Sequence, residues 1–139
     1  MVPAELINEV EFIKNSIDGS GLEAAARFDL ANDYLKKLAS ARIVFTSRIH
    51  CALPCLAMNT PVIFVKAGQK SESNILRFKG IIDHMNVLDY DGDVKGQGFS
   101  SRLLSMKDID VLSPPLNPNS FSDLVGDLVK RCEGFVIGK

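Results

Sequence analysis

The sequence predicts an α/β fold, helices packed on a parallel sheet, and three observations predict it. Residues 41–65 read as a buried strand, a polar turn, a helix and a second buried strand within 25 residues. The strand runs are short, continuously apolar and rich in β-branched side chains (Ile43-Val-Phe45, Val62-Ile-Phe-Val65), as strands covered on both faces require. Elsewhere, apolar residues recur at three- and four-residue intervals, the spacing of one helix face.

The elements follow in order. Leu6, Ile7, Val10, Phe12, Ile13 and Ile17 carry helical spacing over residues 5 to about 16, and the turn residues Asp18-Gly-Ser-Gly21 end it. A second amphipathic helix is predicted over 22–38, from Leu22, Ala25, Ala26, Phe28, Ala31, Tyr34, Leu35 and Leu38. A strand at 42–45, a helix from about 48 to 58 and a strand at 61–65 form the strand–helix–strand unit. Ser47 precedes the helix as its N-cap, and Pro61 opens the second strand, where a proline need donate no ladder bond. Pro54 must kink the helix or sit within its first turns.

Residues 66–74 are polar and read as a loop, 75–85 as a helix, and Asn86-Val-Leu-Asp-Tyr90 as a short strand. Three glycines mark 91–101 as an exposed loop, and Ser113-Pro-Pro-Leu-Asn-Pro118 as a rigid extended connector. A last amphipathic helix spans 121–132, with Asn119 or Ser120 as its cap.

Bulk properties bound the function. A chain of 139 residues with 46% apolar and 24% charged side chains suits one soluble globular domain with a real core. Its net charge of −1 gives no electrostatic argument for nucleic acid or anionic membrane as a partner. No run approaches the roughly 20 apolar residues of a membrane span, and no signal peptide is visible. Three cysteines suit reduced thiols in a cytoplasmic protein better than a disulfide framework.

The chemistry concentrates where parallel strands end, since open α/β sheets bind ligands there. The turn after the first strand offers Ser47, Arg48 and His50 beside free helix-end amides, a setting for an anion. The loop after the second offers Lys66, Gln69, Lys70, Ser71, Ser73 and Asn74. Arginine binds phosphate or carboxylate bidentately, lysine adds a point charge, and a histidine titrating near neutrality can give up a proton. The plainer reading makes Arg48 and His50 surface residues of a short helix and the second loop merely solvated. Cys51 and Cys55, one helical turn apart, read as core packing rather than a metal site. Asp83, His84, Asp89, Asp91 and Asp93 match no calcium-loop spacing. No catalytic triad, P-loop or dinucleotide fingerprint is present.

The segment Thr46-Ser-Arg-Ile-His-Cys-Ala-Leu-Pro-Cys-Leu-Ala-Met-Asn-Thr-Pro-Val-Ile-Phe-Val65 resembles the signature of the polysaccharide pyruvyl transferase family. Arg27-Phe-Asp-Leu-Ala31 upstream, and Arg77-Phe-Lys-Gly-Ile-Ile-Asp83 and Asn117-Pro-Asn119 downstream, resemble further family segments. The resemblance implies a Rossmann-like sheet of the GT-B type. It also implies that residues 1–139 are the C-terminal half alone, without the family's N-terminal half. It implies phosphoenolpyruvate as donor, no cofactor, no metal, and a sugar hydroxyl as acceptor in surface-polysaccharide modification. The resemblance further implies that Arg48 and His50 occupy the family's catalytic Arg-x-His positions. An N-terminal-half partner or a homo-oligomer is then expected to complete the cleft. Two alternatives stand beside it. One is a nucleotide-sugar glycosyltransferase half, with Glu72 or Asp83 reading a ribose. The other is a non-catalytic binding or assembly module.

Overall fold

The computed structural model describes residues 4–14, 21–66, 80–89 and 102–137. Its centre is a four-stranded, all-parallel sheet: β1 (Val44–Thr46), β2 (Val62–Lys66), β3 (Asn86–Asp89) and β4 (Arg102–Leu104). The strands lie side by side in chain order, β1-β2-β3-β4. The winding therefore does not reverse among these four, and the crevice that a doubly wound sheet opens at its reversal point does not arise among them. What remains as a ligand position is the carboxyl edge of the strands.

Parallel strands need crossovers, and α2 (Ile49–Ala57) supplies the one between β1 and β2. Val44 pairs with Val62 and Thr46 with Phe64, so β2 runs two residues past the end of β1. Outside that pairing, the Val44 amide donates to the Pro61 carbonyl at 2.9 Å, so Pro61 serves the ladder as an acceptor.

Side chains alternate across the sheet. Val62, Phe64 and Val87 face a core shared with Ala52, Cys55 and Leu56 of α2, Leu38 of α1 (Ala24–Ser40), and Ile82 and Met85. Ile63, Leu88 and Leu104 face a smaller cluster closed by Ile109. β2 is thus covered on both faces, which is why it reads as an unbroken apolar run, whereas the edge strands are less buried than expected, with Phe45 of β1 and Leu103 of β4 exposed. The final helix, α3 (Ser120–Ile137), joins the larger core through Phe121.

Residues 113–118 form no regular element and are tied to the amino ends of β2 and β3 by amides. Asn117 accepts from the Val62 amide (3.0 Å) and donates to the Thr60 carbonyl (2.8 Å), while Asn86 donates to the Leu116 carbonyl (3.0 Å). Pairing buried backbone groups this way substitutes for a further strand.

Several expected elements differ. The first helix is a 3₁₀ helix, Ala4–Glu9, with non-helical chain over 10–14. Ile7, Val10 and Phe12 are exposed, so nothing rewards the apolar stripe, and a short unsupported α-helix is marginal in water. Of the helix expected over 75–85, residues 75–79 lie outside the described residues. The remainder is a turn and a 3₁₀ helix, Ile82–His84, interrupted where Gly80 takes φ +85°. The glycine-rich stretch 91–101 also lies outside them, and β4 was not foreseen from its three residues. Among the described residues no helix is long and apolar enough to cross a membrane.

Candidate functional site

The turn between β1 and α2 is built by two local devices. At its start the Thr46 hydroxyl accepts a hydrogen bond from the Arg48 amide at 3.1 Å, a side-chain turn that points the chain into the helix. At the far end α2 closes on Asn59, which adopts φ 58°. The Thr60 amide reaches the Cys55 carbonyl (2.8 Å) and the Asn59 amide the Leu56 carbonyl (3.1 Å), the paired bonds of a Schellman stop. Asparagine tolerates this left-handed position better than most residues.

The expected N-cap is corrected by this geometry. Arg48, not Ser47, holds the cap position, extended at φ −108°, ψ 122°, and no side chain caps the helix. Its carbonyl takes the amides of Cys51 (3.0 Å) and Ala52 (3.1 Å). Because Thr46 has already bent the chain, Ser47 stays outside the helix. Helical geometry leaves the amides of Ile49 and His50 without an acceptor inside the helix. Ser47, Arg48 and His50 are all exposed around these amides, at the carboxyl edge of β1.

Lys66 ends β2 on the same edge of the sheet and is 6% exposed, in register with the backbone of Asp89. A lysine this deep is packed, unlike a solvated loop residue. Gln69, Lys70, Ser73 and Asn74, with Ser71, Glu72 and Arg77, lie outside the described residues. The structure thus gathers Ser47, Arg48 and His50 on one turn and sets Lys66 at the end of the adjoining strand. Among the described residues no three His, Cys, Asp or Glu side chains are grouped to hold a metal ion.

Immediately behind the exposed turn is a feature that spacing alone did not reveal. Cys51 and Cys55 are buried, as the core reading expected, and both are free thiols. They share one core cluster, against which Tyr34 of α1 packs. The neighbouring Cys55 thiol outweighs burial and lowers the Cys51 thiol to about 5, whereas Cys55 is pushed up, first by Cys51 and then by burial. The signal was present in sequence: a cysteine in the first turn of a helix, with a second one turn later and a threonine closing the strand before it.

No family model matches the chain, and neither does any curated protein or solved structure. The functional reading therefore rests on the turn itself.

Proposed function

We propose that the chain is a polysaccharide pyruvyl transferase-like domain of GT-B C-terminal character that binds phosphoenolpyruvate at the β1–α2 turn. The observation that carries the reading is Arg48 at the uncapped start of α2, exposed with His50 at the carboxyl edge of a parallel strand. An uncapped helix start offers backbone donors and positive potential, and it carries no carboxylate of its own in the first turn. Arg48 adds a full charge that neutralises the donor's phosphate or carboxylate. His50, two residues on, assists phosphate departure or transfers the proton that accompanies attack by the sugar hydroxyl. Ser47 contributes a hydroxyl at the same turn, and Lys66 a second positive group at the end of β2.

The product of this chemistry is a pyruvyl ketal on a surface-polysaccharide sugar, with phosphate released. Enclosing the donor takes a second wall, since orientation and exclusion of water supply much of the rate in a cleft enzyme. That wall is the role assigned to an N-terminal-half partner or a second copy.

The test is a thermal-shift titration with phosphoenolpyruvate, with inorganic phosphate and a nucleotide sugar as controls, on the wild type and Arg48→Ala. At about 100 times Kd, ligand linkage adds about 2.7 kcal/mol, a rise of about 10 °C for a chain of this size. The rise is expected with phosphoenolpyruvate and is lost in Arg48→Ala, whose ligand-free melting stays within about 0.5 kcal/mol of wild type because Arg48 is exposed. A shift with nucleotide sugar alone, or one that survives Arg48→Ala, refutes the assignment.

A further inference from the structure

The final helix carries an apolar face that the rest of the chain leaves largely uncovered. On α3, Phe121, Leu124, Val125, Leu128, Val129 and Cys132 recur at three- and four-residue intervals and lie along one side of the helix. Phe121 packs against the larger core. The stripe then continues without cover: Leu124 is 39% exposed, Val125 40%, Leu128 52% and Val129 49%, and the Cys132 thiol is exposed as well. Apolar residues scattered singly over a surface need no explanation, but a run of them on one helix face marks a contact.

The helix itself needs such a contact. α3 spans 18 residues, a length of about 27 Å. Gly126 weakens it, and a Cβ added there would meet nothing within 4 Å, so no close approach within this chain calls for glycine. An isolated helix of this size is marginal in water, and most helical stability in proteins comes from packing of the amphipathic face. Phe121 secures the first turn and leaves the remaining turns to another surface.

Charge points to the occupant. Asp127 and Arg131, one turn apart, run along the border of the stripe beside Leu124. Both are exposed, and among the described residues neither is in an ion pair. When two such helices pack antiparallel about a two-fold axis, the same border of each copy meets, and Arg131 comes beside the partner's Asp127 twice over. The helix dipoles are then opposed as well, each positive end lying towards the other copy's negative end. An isologous contact also requires one self-complementary patch, which an apolar stripe with this border supplies. We propose that α3 is a homodimer contact, in which the face formed by Leu124, Val125, Leu128 and Val129 packs antiparallel on a second copy and Arg131 pairs with the partner's Asp127. The contact does not depend on what the β1–α2 turn binds, so its failure would leave the reading of that turn untouched.

The experiment measures the mass of the full chain in solution by size exclusion with light scattering, in dithiothreitol so that Cys132 forms no intermolecular disulfide. At about 100 µM the mass of two chains is expected. Leu128→Glu should give the mass of one chain, whereas Phe28→Glu, on an apolar residue of α1 that is 75% exposed, should leave the dimer intact. Circular dichroism establishes that each variant is folded, the result expected for exposed positions. Arg131→Glu and Asp127→Arg should each weaken the dimer about tenfold by setting like charges against each other. An equimolar mixture of those two variants should restore it, because each border then faces its opposite. A monomer at the same concentration overturns the proposal and leaves the face to a different chain. A dimer that survives Leu128→Glu overturns it too, as does a mixture no tighter than the two charge variants alone.

Discussion

Asn117 makes two hydrogen bonds to the backbone at the start of β2, and the effect of losing them can be worked from its contacts. Asn117→Ala removes the acceptor of the Val62 amide and the donor to the Thr60 carbonyl, at 3.0 and 2.8 Å. Val62 is fully buried and Thr60 nearly so, so water does not readily replace either bond. Each bond contributes about 1 kcal/mol net, and stranding a buried amide adds a further 1 kcal/mol or more. The expected loss is about 3 kcal/mol, a large fraction of the 5–15 kcal/mol that holds a typical domain. In urea, with a slope of about 1.5 kcal/mol/M, the midpoint should fall by about 2 M with the slope unchanged. Ser113→Ala, an exposed change in the same connector, should stay within about 0.5 kcal/mol. A midpoint for Asn117→Ala within about 0.3 M of wild type would refute the claim that this amide ties the connector to the sheet.

Two further outcomes are expected. Asn59→Val should cost at least about 1 kcal/mol in the same unfolding assay, since a β-branched side chain is strained at φ 58°, whereas Asn59→Gly should be neutral or slightly stabilising. The Cys51 thiol, lowered in the folded chain from 9.0 to about 5, makes the unfolded state bind more protons between those values, so its contribution to stability rises with pH across that window and is lost below it. The melting temperature of wild type relative to Cys51→Ser should therefore grow from about pH 5 towards pH 9, and a constant difference would show that Cys51 titrates normally.

The β1–α2–β2 unit was legible to within a residue or two because each signal in it is local. Short apolar runs rich in β-branched residues fit strands, the intervening residues have helix length, and Pro61 fits a strand opening. The first segment departs from its helical spacing for a reason local rules do not contain. Its apolar spacing is helical, but the partner surface that stabilises such a stripe is missing where Ile7 and Phe12 lie. Both Thr46 and Ser47 suit a helix entry, and only the backbone path shows that Thr46 makes the turn. The apolar surroundings of the cysteines make their core placement legible, but which side chain of a distant helix packs against them, Tyr34, is not.

The sequence by itself determined the alternation of strand and helix, the burial of β2 on both faces, and the gathering of Ser47, Arg48 and His50 on one turn. All three follow from side-chain period and nearest-neighbour backbone preference, and these act over a few residues. The tertiary structure alone decided the rest: the sequential strand order, Lys66 buried at the edge beside that turn, Asn117 tied to the start of β2, and Cys51 held between α1 and β1. Each of these depends on which distant segments come to lie together, and that is settled by the packing of the whole core.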